Sequence, residues 1–226
     1  MLPISVCIIG KNEEKYLEEC LKHLLSYDWE IVFVDTGSTD KTKEIAQKYT
    51  KNVYDFAWIK DFSAARNFAA SKASRDWILS IDCDEYLKSL DVSSLLTMIK
   101  NYPESSAFID LFNPDESTEN FTRSELYRFY PKKYFHWVNP IHEQLVRIDN
   151  QPATSFHSGI SVIHYGYLEG QTDLRGKNKR NLELLLDIVK KEPNNPYYYY
   201  QIGISYMNLR NYNLALEYLT KATEAQ

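Results

Sequence analysis

The chain has few cysteines, no long hydrophobic run and no excess of positive charge, and each absence excludes a class of protein. Its three cysteines, Cys7, Cys20 and Cys83, form no Cys-x-x-Cys pair, which argues against a disulfide framework or zinc site and favours a cytoplasmic location. A net charge of -5 argues against nucleic-acid binding. No apolar run approaches the ~18 residues that span a bilayer, so we expect no transmembrane segment.

The first part of the chain alternates between strand and helix. Short apolar runs at residues 4–9, 31–34, 53–56 and 77–81 are separated by helical patterns, the first with Leu17, Cys20, Leu21, Leu24 and Leu25 on one face. This alternation predicts an α/β fold with a parallel sheet, whose ligands bind beyond the carboxyl ends of the strands. Later runs at residues 107–112, 125–130, 134–138, 141–147 and 160–165 lack intervening helices and predict an antiparallel or mixed extension.

An acidic sequence follows the apolar run at residues 77–81. Alternation along an extended chain would let the Asp82 and Asp84 carboxylates converge while Cys83 faces the other way. Two carboxylates at a strand end suit Mg²⁺ or Mn²⁺ that holds a diphosphate. Alone, however, this Asp-x-Asp pattern is a weak signal, because it is common in solvated turns.

The last part of the chain has the pattern of a helical repeat. Seven positions match the spacing of a tetratricopeptide repeat, namely Tyr199, Ile202, Gly203, Tyr206, Ala215, Leu219 and Ala222. Because one repeat buries too little surface alone, the pattern also predicts packing on a neighbouring helix, on further repeats or on a second copy in a homo-oligomer.

Four ordered sequence blocks resemble those of family 2 glycosyltransferases with the GT-A fold. They are ISVCIIGKNEE at residues 4–14, VDTGSTDKT at 34–42, FSAARN at 62–67 and DCDE at 82–85. With the downstream His-Glu pair and repeat helices, the chain is similar to bacteriocin peptide glycosyltransferases and lipopolysaccharide-core glucosyltransferases. The resemblance implies a GT-A, Rossmann-like domain at residues 1–170, followed by a tetratricopeptide-like helical extension at 171–226.

The resemblance also implies roles for individual residues. Asp35 would bind the nucleotide base, and Arg66 would lie near the base or the diphosphate. Asp82 would lie near the ribose or the metal, and Asp84 would ligate Mn²⁺ or Mg²⁺. An acceptor-only carboxylate at Asp35 suits the imide N–H of uracil, which thymine also offers.

Other polar residues complete the predicted site. Asn12 and Glu13 of the first block are predicted to contact the nucleotide sugar, although Asn12 would also serve as a helix cap. Lys177 and Arg180 begin the helical part, where they are as consistent with a solvated helix face as with a clamp on the diphosphate.

Inverting transfer requires a general base on the acceptor side. Residues 135–143 supply two histidines, a glutamate and a tryptophan, and we predict Glu143 as the base with His142 as the alternative. His164, in a later strand-like run, is interpreted as a core or surface histidine.

These features predict a metal-dependent transferase that moves a hexose from a nucleotide sugar, UDP-linked, to a bacterial protein, peptide or glycan acceptor, and the resemblance implies that the transfer inverts the sugar. A sugar-1-phosphate nucleotidyltransferase would need a longer glycine-rich loop than Gly10-Lys11-Asn12. The non-enzymatic alternative is an interaction module in which the repeat binds a partner and the transferase domain has decayed.

Overall fold

The computed structural model describes residues 2–114, 121–167 and 171–225, without the side chains of residues 167, 171–175 and 177. The chain divides into two compact units, residues 1–168 and residues 169–226. Among the helices of the described ranges, none is both long and apolar enough to cross a membrane.

A mixed eight-stranded sheet lies at the centre of the first unit. The strands of this unit are β1 (Ile4–Gly10), β2 (Glu30–Asp35), β3 (Asn52–Asp55), β4 (Trp77–Asp82), β5 (Glu85–Ser89), β6 (Ser106–Pro114), β7 (Phe121–Pro131), β8 (Phe135–Val138), β9 (Gln144–Arg147) and β10 (Ser155–His164). Its α-helices are α1 (Leu17–Leu24), α2 (Thr42–Tyr49), α3 (Phe62–Lys72) and α4 (Val92–Asn101). The sheet order is β3-β2-β1-β4-β7-β6-β10-β5, and β8 and β9 form a separate hairpin.

The sheet has a parallel half and a mixed half. β3, β2, β1 and β4 are parallel, β7 is antiparallel to both β4 and β6, and β5 is antiparallel to β10. This arrangement confirms the predicted α/β class with an antiparallel extension. In the register of β1, Gly10 lies beside Asp35 of β2 and Ile9 beside Asp82 of β4, so the loops after these strands lie at one edge.

The buried residues of the first unit test the helical and strand patterns read from the sequence. The α1 face of Leu17, Cys20, Leu21 and Leu24 is fully buried, as the helical spacing predicts. Leu25 is 57% exposed because α1 ends at Leu24, so its assignment to this face is wrong. β5, whose Glu-Tyr-Leu-Lys-Ser sequence forms an edge strand on β10, has no counterpart among the strands predicted from the sequence.

The second unit contains three helices, α5 (Gln171–Val189), α6 (Pro196–Asn208) and α7 (Tyr212–Glu224). The helices α6 and α7 pack against each other as the repeat pattern predicts. A Cβ atom added to Gly203 would lie 2.6 Å from Leu219 Cγ, so the contact requires glycine at this position. Asn195 begins α6 as a side-chain cap, and Pro196 occupies its first turn.

Candidate active site

The end of β4 and the following turn place the acidic motif at the edge of the sheet. Asp82 is the last residue of the strand, while Cys83 and Asp84 form the turn before β5. The two-residue alternation therefore stops at Asp82, and the two carboxylates have different partners. Asp82 contacts arginines, whereas Asp84 contacts a histidine.

Arg66 links the third sequence block to this acidic turn. The helix α3 begins at Asp61, whose side chain accepts the Ala64 N–H, and it carries Arg66 into the protein interior. Arg66 donates to Asp82 Oδ1 at 2.8 Å, to Glu143 Oε1 at 2.6 Å and to Ser80 Oγ at 2.9 Å. One guanidinium thus joins α3 to two positions of β4 and to Glu143, which directly precedes β9.

Asn67, the last residue of the same block, holds the β8–β9 hairpin. Its side chain accepts the Trp137 N–H at 2.9 Å and donates to the Trp137 carbonyl at 2.8 Å. The Trp137 ring in turn lies 5.4 Å from the Arg66 guanidinium carbon. The Arg-Asn pair therefore positions the hairpin that brings Glu143 to Arg66.

Arg128, which the sequence analysis did not select, is a second arginine on Asp82. A β-bulge in β7 displaces it, since Ala107 of β6 lies beside Phe129 while Phe108 lies beside Tyr127. Arg128 Nη2 donates to Asp82 Oδ2 at 3.2 Å, and its Nη1 lies 3.8 Å from Glu85 Oε2. No feature of a single sequence marks this bulge, because the register of two distant strands creates it.

The charges of this cluster shift its pKa values in opposite directions. Burial alone would raise the pKa of Asp82, but Arg128 and Arg66 outweigh burial and hold it well below its usual range. Burial raises the pKa of Glu85 despite the nearby Arg128. Because both Asp82 oxygens accept arginine N–H groups, Asp82 holds the arginines in place, and its role as a metal ligand stays a prediction.

Asp84 and His164 form the second polar pair of the site. His164 Nε2 lies 3.1 Å from Asp84 Oδ2, and its Nδ1 lies 3.0 Å from Asn113 Oδ1. Burial lowers the pKa of His164, but the Asp84 carboxylate outweighs it and raises the pKa. A Cβ atom added to Gly166 would lie 2.0 Å from Asp84 Oδ2, so the pair requires glycine here. The only sequence signal was a histidine ending a strand directly before Tyr-Gly-Tyr.

The first two sequence blocks connect through side chains at the ends of β1 and β2. Asn12 Oδ1 accepts the Thr39 N–H at 2.8 Å, and the Glu13 N–H donates to Thr42 Oγ1 at 2.7 Å. Asn12 therefore joins the two loops rather than capping α1, which begins after Tyr16 without a side-chain cap. The contacts of Asn12 and Glu13 with a nucleotide sugar stay predictions.

Asp35 lies at the end of β2 and is 5% exposed. Its Oδ2 accepts the backbone N–H groups of Gly37 and Ser38 at 3.1 and 3.0 Å. Its Oδ1 is buried and has no hydrogen-bond partner among the described residues. A buried acceptor without a donor is costly, so this atom is suited to a donor supplied by a ligand.

Glu143 and His142, the predicted general bases, line a cavity of about 560 Å³ that Arg128 also lines. Burial lowers the pKa of His142, which favours the neutral imidazole. Burial alone would raise the pKa of Glu143, but the Arg66 guanidinium outweighs it and lowers the pKa. The cavity is lined by Glu125, Leu126, Tyr127, Arg128, Trp137, His142, Glu143, Gln144, Leu145 and Val146.

Lys177 and Arg180 lie on α5, in the second compact unit. The side chain of Lys177 is outside the described part, and that of Arg180 is exposed. Their role as a clamp on the diphosphate stays a prediction.

A second cluster of acidic groups and a histidine lies on β6, β7 and β10 of the sheet. Asp110, Glu125 and His157 place one ligand atom each within 4.8 Å of one another. Arg123, however, donates to Asp110 at 2.8 Å and to Glu125 at 3.1 Å. The guanidinium already supplies the positive charge of this cluster, so it does not favour a metal ion.

The sequence model described as glycosyl transferase family 2 matches residues 5–170. The chain belongs to glycosyl transferase family 2. This confirms the resemblance drawn from the four sequence blocks, which now meet at the carboxyl ends of β1, β2 and β4.

Two relatives cover most of this family 2 chain. It is 30% identical over 213 residues to a TPR repeat-containing protein of Synechococcus elongatus, with 90% of this chain and 52% of that protein covered. It is 28% identical over 234 residues to the SPbeta prophage-derived glycosyltransferase SunS of Bacillus subtilis, with 97% and 53% covered. The chain thus spans about half the length of these relatives.

A solved structure supports the fold. The crystal structure of S. aureus TarS 1–349 in complex with UDP-GlcNAc matches with a TM-score of 0.56 and 14% identity, covering 99% of this chain and 81% of that chain. The likeness confirms the GT-A-like fold of the family 2 chain.

Proposed function

We propose that this family 2 protein is a metal-dependent glycosyltransferase that moves a hexose from a UDP-sugar to a bacterial protein, peptide or glycan acceptor with inversion. The proposal rests above all on the buried Asp35 Oδ1, which has no hydrogen-bond partner in the described part of the chain and lies at the same sheet edge as Asp84 and the Asp82 carboxylate that Arg66 contacts. SunS, a named glycosyltransferase, and TarS, crystallised with UDP-GlcNAc, support the same chemistry.

Asp35 supplies the base recognition in this proposal. With Oδ2 held by two backbone N–H groups, Oδ1 accepts the imide N–H of uracil. A cytosine ring offers an acceptor at that position, which would face the carboxylate without a hydrogen bond. The site therefore favours uridine over cytidine nucleotides.

Asp84 and His164 fit a divalent ion. Two neighbouring ligands of an octahedral ion with bonds of ~2.1 Å lie roughly 3.0 Å apart, close to the 3.1 Å between Asp84 Oδ2 and His164 Nε2. The Asn113 side chain contacts the other ring nitrogen, as residues outside a metal's ligand shell often do. A mixed carboxylate and imidazole set suits Mn²⁺ better than Mg²⁺, which prefers oxygen ligands.

The transfer step requires few groups from the protein. The bond between the sugar C1 and the diphosphate oxygen breaks, the acceptor atom bonds to C1, and Glu143 or His142 takes the acceptor proton. A bound cation would stabilise the negative charge of the leaving diphosphate. Arg66 contacts both Glu143, the predicted base on the acceptor side, and Asp82 on the donor side, and so fixes the position of one relative to the other.

The test is donor hydrolysis across a panel of nucleotide sugars with Mn²⁺. We expect a UDP-hexose to be hydrolysed by the wild type and not by Asp84→Asn. Asp110→Asn is the matched control. Asp110 also lies 3.1 Å from a histidine nitrogen, that of His157, but it accepts a hydrogen bond from Arg123 and is not proposed to bind a metal. Equal loss in both variants, or absence of hydrolysis and of UDP binding in the wild type, would contradict the proposal and favour the interaction module.

A further inference from the structure

One face of the mixed half of the sheet carries exposed aromatic rings around a charged centre. In the pairing of β6 with β7, Phe108 lies beside Tyr127 and Asp110 beside Glu125, so these four side chains share one face. Ile109, between them on β6, points to the other face and is part of the core. Tyr127 is 52% exposed, so a ligand in solution can reach the shared face.

Two aromatic pairs lie at the ends of this face. Phe108 meets Tyr127 edge to face with ring centroids 5.9 Å apart, and Phe112 meets Phe121 in the same way at 6.3 Å. Phe121 is 47% exposed, and the Lys88 ammonium lies 4.2 Å from the Phe112 ring centroid. Since Phe108 and Phe112 are four residues apart on β6, a rise of ~3.3 Å per residue separates the pairs by ~13 Å. This span suits a short oligosaccharide better than a single sugar ring.

The charged centre between the two pairs is built around Arg123. Its Nε donates to Asp110 and its Nη2 to Glu125, while Nη2 also lies 3.3 Å from His157 Nε2. Within the described part of the chain, these contacts leave the Arg123 Nη1 donors for a ligand. Together with Lys88 the face carries two cations and two carboxylates, so it has no net charge while His157 is neutral.

We propose that this saccharide face, the exposed side of β6 and β7 from Tyr127 to Phe121, binds a neutral oligosaccharide. The C–H groups on one side of a sugar ring pack on aromatic rings, and its hydroxyl groups form hydrogen bonds with carboxylates and a guanidinium. A nucleic acid would require an excess of positive charge. A protein partner would bury the charged centre, whereas the cores of protein interfaces are depleted of charged residues.

The saccharide face is adjacent to the cavity of the predicted bases. Glu125 and Tyr127 belong to the face and also line the cavity that His142 and Glu143 line. An oligosaccharide on the face would thus extend toward these bases, and the use of that placement rests on the proposed function. The binding itself depends only on the aromatic pairs and the charged centre, and it requires neither nucleotide nor metal.

Nuclear magnetic resonance titration of the full chain tests the saccharide face without requiring activity. The probes are cellohexaose, chitohexaose and maltohexaose, with glucose as the single-ring comparison and without nucleotide or metal. We expect at least one hexasaccharide to bind about tenfold or more tightly than glucose, because it contacts both aromatic pairs at once. Absence of binding by all three hexasaccharides, or binding no tighter than that of glucose, would overturn the proposal.

Single substitutions at the two ends of the face provide the second readout. Phe121→Ala and Tyr127→Ala should each weaken hexasaccharide binding about three- to tenfold, the contribution of one aromatic contact. Tyr212→Ala, which removes an exposed ring of the second unit, is the matched control and should change nothing. Unchanged affinity in both variants, or equal weakening in Tyr212→Ala, would overturn the proposal.

Sedimentation of the same proteins separates the saccharide from a second copy of the chain. A wild-type dimer that Phe121→Ala dissociates and that no hexasaccharide dissociates would assign the face to self-association and overturn the proposal. Donor hydrolysis by Phe121→Ala reports the proposed function separately, because Phe121 is on the saccharide face and not in the site for the nucleotide sugar. Failure of either idea is therefore recognised without the other.

Discussion

Gly166→Ala is the most direct test of the Asp84–His164 pair. The added Cβ would lie 2.0 Å from Asp84 Oδ2 and 3.1 Å from His164 Nε2, where a separation under 3.0 Å is not tolerated. Either the carboxylate or the backbone at residue 166 must therefore shift by about 1 Å, and either shift disturbs the position of the carboxylate beside the imidazole. A ligand displaced in this way costs on the order of 10–100-fold in metal affinity, and a misplacement of ~1 Å costs about 100-fold in rate.

The assay is calorimetric titration with Mn²⁺, followed by Mn²⁺-stimulated hydrolysis of the UDP-sugar. Gly203→Ala is the matched control, since its Cβ would lie 2.6 Å from Leu219 Cγ in the second unit, and it should lower thermal stability without changing Mn²⁺ affinity. His164→Ala removes the imidazole without adding atoms and should weaken Mn²⁺ in the same way if Gly166→Ala does not fold. A folded Gly166→Ala protein with wild-type Mn²⁺ affinity would refute the assignment of this pair.

Three further predictions address recognition of the nucleotide base, removal of the acceptor proton and the ion pair between Arg66 and Glu143. Asp35→Asn should weaken UDP binding about 10–100-fold, because one charged hydrogen bond is lost, and should change CDP binding little. Calorimetric titration with both nucleotides measures the ratio of the two affinities. Glu143→Gln should lower kcat about 10²–10⁴-fold with unchanged UDP affinity; a larger loss in His142→Gln would assign the proton transfer to His142 instead. Since Arg66 lowers the pKa of Glu143, the pair stabilises the fold above the unfolded pKa of Glu143 and loses this contribution as pH falls through the folded pKa. Denaturation between pH about 3 and about 6 should then show a smaller rise in the free energy of unfolding for Glu143→Gln than for the wild type.

The parallel half of the fold could be predicted because its information is local. β-Branched runs and helical spacing identify β1, β2, β4 and α1 within short windows of sequence, and strand polarity then places their loops at one edge. β5 escaped prediction because its five residues are stabilised by pairing with β10, far away in sequence. The repeat pattern was equally readable, since each of its positions has a fixed spacing on α6 and α7.

The amino-acid sequence alone determined the family, the alternating α/β order and the polar residues at the strand ends, because these depend on residue identity and spacing along one chain. Only the tertiary structure decided which of those residues meet. It joined Asp82 to Arg66 and Arg128, paired Asp84 with His164, and placed His142 and Glu143 beside Arg128 on one cavity. Such contacts depend on a β-bulge, a strand register and a close glycine approach, which arise from packing between segments many residues apart.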